Sequence, residues 1–148
     1  MFRDGAERLL VFRIGTERFA VRLGAVDEVI DAPPMQPLPD AGDTVLGLAT
    51  LRGELVPIFD PRSLLNVDAD VNGAVLLFAR NGRRMGLAID DVYDAITVEE
   101  GDMRSAPGTD AADGILVGVI RRGTDLVAVL DADALLDAVT SVSEGERK

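Results

Sequence analysis

Whatever chemistry this chain performs must come from carboxylates, hydroxyls and arginines, because its 148 residues include no histidine and no cysteine. That removes the commonest general base near neutral pH, the thiolate nucleophile and the usual transition-metal ligands. The serines, Ser63, Ser105, Ser141 and Ser143, lie outside any G-x-S-x-G elbow, and no phosphate-cradling or dinucleotide glycine pattern is present. "DADVNG" imitates the first half of a calcium loop, with Asp68, Asp70, Asn72 and Gly73 at positions one, three, five and six. Position twelve, which should be a bidentate Glu, is Ala79 inside an apolar run, so the segment reads as an acidic linker. Asp90 and Asp91 could pair as acid and base, but neighbours on a strand face opposite ways, and a solvated strand end fits them better. "PPMQPLP" (33–39) suits a polyproline II segment, either a ligand for a proline-reading domain or a stiff connector between strands. Among the charges Arg52 stands out, at the tip of the Arg-Gly turn in "TLRGEL". From its position alone it reads as an ordinary surface arginine or one paired with a nearby acid. Gly47 and Gly53 read as backbone requirements, for close approach or positive φ.

The elements that would position these residues are short strands. In the first half they run Leu9–Ile14, Arg18–Val21, Val26–Ile30, Val45–Leu51 and Leu55–Phe59. In the second they run Val75–Arg80, Arg83–Ile89, Val92–Thr97, Ile115–Arg121 and Asp125–Leu130. "GTE", "RG", "NG" and "GT" mark hairpins, and Asn-Gly is the strongest of these because it accepts positive φ. Helices are few. Asp60-Pro61 reads as an N-cap and first helical residue opening "RSLLN". Asp131 reads as the cap of "ADALLDAV", with Leu135, Leu136 and Val139 on one face. "LGAVDEV" has room for one helical turn before its strand.

Length and composition bound the rest. The chain is long enough for one domain with a real core, and 47% hydrophobic residues argue against disorder. No apolar run is long enough for a membrane span, and the N-terminus lacks the order of a signal peptide, so a soluble cytoplasmic protein is expected. Fifteen basic against 26 acidic residues give a formal charge of −11, which disfavours nucleic acid. The arginine pairs Arg83-Arg84 and Arg121-Arg122 are expected in hairpin turns.

The chain repeats itself. At an offset of 66, Leu10–Ile30 falls on Leu76–Ile96, matching Phe12 with Phe78 and Arg18 with Arg84. At an offset of 71, Gly47 meets Gly118, Leu55 meets Leu126, Asp60 meets Asp131, and Leu64-Leu65 meet Leu135-Leu136. Two units of one domain are expected at about 8–66 and 74–139, with a frayed tail at 140–148; each copy reads as one barrel, unless a first strand crosses over and the barrel boundary departs from the repeat boundary. Only the first copy carries Leu-Arg-Gly and the strand proline.

The run Gly47, Leu51, Arg52, Gly53, Pro57, Ile58, Asp60, together with the opening segment holding Val26-Asp27-Glu28, resembles the CheW-type chemotaxis coupling proteins, from about Leu9 to Leu136. The resemblance implies an all-β fold of two five-stranded SH3-like barrels with short helices and a C-terminal helix. It implies no catalysis, no cofactor and no metal. It also implies an adaptor between the cytoplasmic tips of methyl-accepting chemoreceptors and the regulatory domain of a CheA-type histidine kinase. Val26, Glu28, Gly47 and Arg52 match positions tied in the family to partner binding, with Gly53 completing the turn. Two departures stand beside them: Thr50 where the family usually has Asn, and Pro61 where it usually has Leu. They leave open an accessory relative that binds one partner without bridging.

Overall fold

The computed structural model describes residues 5–39, 44–68, 73–107 and 113–146, the last six as backbone only. Most of the calcium-loop imitation therefore lies outside the described residues. The first half forms β1 (Ala6–Ile14), β2 (Glu17–Arg22), β3 (Glu28–Asp31), β4 (Val45–Leu51) and β5 (Glu54–Phe59). The second forms β6 (Ala74–Arg80), β7 (Arg83–Ile89), β8 (Asp91–Glu99), β9 (Leu116–Arg122) and β10 (Asp125–Leu130). All ten expected strands are present, with ends displaced by at most two residues except at β1, which starts three residues earlier, at Ala6. The arginine pairs stand inside β7 and β9 rather than in the turns, which are formed by Asn81-Gly82 and Gly123-Thr124.

The ten strands make two five-stranded sheets, in the orders β8-β1-β2-β10-β9 and β3-β6-β7-β5-β4. The expectation of one barrel per repeat is therefore corrected. Each sheet takes a two-stranded hairpin from one copy and three strands from the other. Parallel pairing performs the exchange: Arg18 to Ala20 of β2 register with Val127 to Val129 of β10, and Ile58-Phe59 of β5 with Gly86-Leu87 of β7. A lone hairpin is marginal in water, and adding it to three strands of the other copy satisfies both of its edges.

Each sheet curls shut through one backbone bridge. Gln36 exchanges hydrogen bonds with Leu48 at 2.8 Å each way, and Arg104 does the same with Val119 at 2.8 Å. The glycine repeated in both copies sits beside this closure. A Cβ on Gly47 would lie 2.7 Å from the Gln36 carbonyl oxygen, and one on Gly118 would lie 2.8 Å from that of Arg104. "PPMQPLP" is thus a connector, its Gln36 closing the second sheet.

β1 serves two cores by strand alternation. Leu9 and Val11 join Ala20, Ile120, Val127 and Val129 inside the first sheet. Leu10, Phe12 and Ile14 face the second sheet and its Val56, Ile58, Leu87 and Ile89. The run Val75-Leu76-Leu77-Phe78 is buried throughout, as expected of a strand covered on both faces. The Phe12 and Phe19 rings stack with centroids 5.9 Å apart.

The short helix α1 (Arg62–Leu65) starts one residue later than expected, and Pro61 itself occupies the cap position. Asp60 still receives the Arg62 N–H at 2.9 Å, and its carboxylate also holds the Arg62 guanidinium. Asp131 caps α2 (Ala132–Glu146) as expected, accepting the Ala134 N–H at 3.0 Å. Leu135, Leu136 and Val139 form its buried face. α2 runs past residue 140, where the sequence suggested fraying, because no proline or glycine interrupts it before Gly145. A 3₁₀ turn at Leu23–Ala25 fills the turn expected before β3.

Candidate functional site

The β4–β5 hairpin turns on Arg52 and Gly53, flanked by the pair Leu51–Glu54. Both turn residues have positive φ, 50° and 83°. This is the sign pattern of a type I′ turn, which matches strand twist but favours Asn or Gly at both positions. Gly53 meets that demand without cost. Arg52 does not, since an L-residue in the left-handed region carries about 1–2 kcal/mol of strain. The corresponding residue of the second copy is Gly123, so the fold closes an equivalent hairpin without an arginine there.

From this turn Arg52 reaches across to β3, where its Nη2 pairs with Glu28 Oε1. Its side chain remains 65% exposed. Glu28 is shared: Arg84 of β7 donates to the same Oε1 at 3.0 Å and grips Asp27 Oδ2 at 2.6 Å through Nη2 and 3.0 Å through Nε. The Arg52 guanidinium, and behind it Arg84, hold the Glu28 carboxyl below the usual carboxylate range. Asp27 first, then Glu28, push the Arg84 guanidinium further up. The result is a charge-balanced surface cluster of two acids and two arginines.

The structure thus brings together Glu28 and Arg52, two of the five expected residues, and places Gly53 in the same turn. Val26 lies just before β3, half-buried against the core. Gly47 is buried in β4 at the Gln36 closure, so its part is to let two backbones approach. Arg84 was not singled out as a site residue. Its alignment with Arg18, and its place one residue into a strand after Asn-Gly, were the available signals. Arg84 also lines a cleft of about 480 Å³ with Val45, Leu55, Pro57, Phe59 and Met85. Leu55 is 64% exposed at its edge. Val45 lines the cleft, while the Leu48 backbone forms the closing bridge with Gln36.

The acidic pair is also used structurally. The Asp90 carboxylate accepts the Gly15 N–H and pairs with Arg13 at 3.5 Å, whereas Asp91 accepts the N–H of Val92. Among the described residues no cluster of acids is arranged to hold a metal, and no helix is long and apolar enough to cross a membrane.

Comparison with known proteins agrees with this architecture. The family model of the CheW-like domain matches residues 8–140. The chemotaxis protein CheW of Rhizobium meliloti is 29% identical over 137 residues, covering 89% of this chain and 88% of that protein. The chemotaxis protein CheW of Treponema pallidum is 28% identical over 145 residues, covering 91% and 85%. The crystal structure of the scaffolding protein TtCheW from Thermoanaerobacter tengcongensis superimposes with a TM-score of 0.71 at 19% identity, over 84% of this chain and 88% of that one. That likeness extends to the fold, and the match across nearly the whole length settles the membership: this chain belongs to the family of CheW-like domain proteins.

Proposed function

We propose that the chain is a non-catalytic scaffold that couples the cytoplasmic tips of methyl-accepting chemoreceptors to the regulatory domain of a CheA-type histidine kinase, acting in the cytoplasm without cofactor or metal. The observation that carries this reading is Arg52. It is an exposed arginine held at a strained turn position and braced by Glu28, on a rigid hairpin beside an apolar cleft. Strain maintained at an exposed polar residue points to use rather than to packing. Arginine at the edge of an apolar patch is also a common anchor of protein interfaces.

In this reading Glu28, Arg52 and Gly53 present the contact, Val26 seats β3 beneath it, and Gly47 keeps β4 in register. The test is calorimetric titration of the chain with the isolated regulatory domain of its cognate kinase and, separately, with a receptor cytoplasmic-tip fragment. Binding of both, with at least one weakened by Arg52→Ala in a protein that stays folded, is the expected result. Binding of the kinase domain alone would reduce the role to an accessory one. Binding of neither by folded protein would overturn the coupling function.

A further inference from the structure

A second cleft, of about 520 Å³, opens on the other sheet, where the chain leaving β8 meets the outer edge of β9. Arg104, Arg121 and Arg122 all line it, in a protein whose formal charge is −11. Arg13, Arg18, Arg52, Arg62, Arg80 and Arg84 each hold a carboxylate. No ion pair among the described residues involves the three that share this cleft. The one acid in the lining, Asp102, turns Oδ2 to the Glu99 N–H at 3.0 Å and so caps its own 3₁₀ turn. The fold does not require these cations. At the corresponding positions of the other sheet stand Gln36, by its matching bridge to Leu48, and Thr50 and Leu51, by the 71-residue offset.

The backbone supplies a second observation. β9 is an end strand of its sheet. Val119 spends its N–H and C=O on Arg104, directed away from β10. By alternation along the strand, Arg121 turns its own N–H and C=O to the same outer edge, two residues beyond the bridge. An edge of this kind accepts an added strand. Arg121 and Arg122 face opposite sides of the sheet, so an added strand would meet them with neighbouring residues. Leu126, 60% exposed, gives the cleft an apolar lip.

We propose that this cleft takes an extended acidic segment of a partner protein, which adds to the β9 edge and sets adjacent carboxylates against Arg121 and Arg122, with Arg104 completing the cationic wall. The site is separate from the Arg52 cluster and does not depend on the coupling function. The test uses the full chain, ¹⁵N-labelled, and an acetylated, amidated peptide of the pattern Glu-Glu-Val-Glu-Glu, with a Lys-for-Glu peptide as control. Expected are saturable amide shifts centred on Val119–Arg122 and Arg104, and slowed hydrogen exchange at the Arg121 N–H. The double variant Arg121→Glu, Arg122→Glu should bind roughly tenfold or more weakly, the equivalent of one charge-assisted contact. Arg122→Gln gives the same direction should the double variant fail to fold. Shifts centred elsewhere, equal binding of the lysine peptide, or no saturation would overturn the proposal. So would displacement of the peptide by equimolar pyrophosphate with no protection of the Arg121 N–H, which would make this a small-anion site.

Discussion

Replacing Arg52 by glycine separates folding from binding more cleanly than alanine does. At φ 50° the arginine sits in the left-handed region. Glycine there releases about 1–2 kcal/mol of strain. Against this, glycine's extra freedom in the unfolded chain costs about 0.5–1 kcal/mol. The lost pair with Glu28 is an exposed one, and such pairs contribute little to stability. The net change should stay within about 1 kcal/mol, which for a chain of this size moves Tm by no more than about 4 °C. An arginine anchor at an interface commonly carries more than 1 kcal/mol of binding, so Kd for the kinase regulatory domain or the receptor tip should rise about tenfold or more. Thermal unfolding and calorimetry on one preparation read both quantities. A fall in Tm beyond about 8 °C would show that Arg52 builds the hairpin, and the reasoning from strain would fail. Unchanged Kd values would place the contact elsewhere.

Gly47→Ala should destabilise by about 1–3 kcal/mol, read as a lower urea midpoint, because its Cβ would stand 2.7 Å from the Gln36 carbonyl oxygen and force the closing bridge apart. An unchanged midpoint would mean that the bridge yields freely. Glu28 should titrate below the ordinary glutamate value in a carboxyl NMR experiment, and Arg52→Gly should move it back up. Because its folded value is depressed, its contribution to stability is complete above the unfolded glutamate pKa and is lost as pH falls through the folded one. Separately prepared fragments 1–68 and 73–148 should each be largely unfolded by circular dichroism and should gain sheet signal on mixing, since each sheet needs strands from both. A fragment that folds alone would contradict the exchange as a requirement for stability.

The strands were legible because alternation and turn residues are local. Asn81-Gly82 and Arg52-Gly53 announce their hairpins, and Asp131 announces a helix. The exchange of hairpins was not legible, since parallel pairing of β2 with β10 leaves no local mark: Phe19 and Ala128 carry no complementary feature that names the partner. For the same reason the repeat suggested one barrel per copy. The Arg-Gly turn placed Arg52, but its partner depended on the distance between β3 and the β4–β5 turn, which only the sheet order fixes. Arg84 escaped because an arginine beside another arginine after a turn looks like solvated charge. In the fold it faces Asp27, whose companion in the other copy is Tyr93, and there Arg18 lies over the aromatic ring at 4.8 Å.

The exchanged hairpins also govern the order in which this protein can come into being. Arg18 is registered with Val127, so the first hairpin cannot find its second neighbour until the last strand has left the ribosome. At about 5–20 residues per second that wait lasts roughly 5–20 s. Until then Phe12 and Phe19 belong to a hairpin whose other core is unmade. Contacts this distant in sequence put the chain among slow folders, and neither copy offers a finished unit to stop at. The two sheets are therefore born one after the other: β3 to β7 are all made once Ile89 is, whereas the first sheet waits for β9 and β10, and a chain cut short before them carries a β2 edge with nothing to cover it.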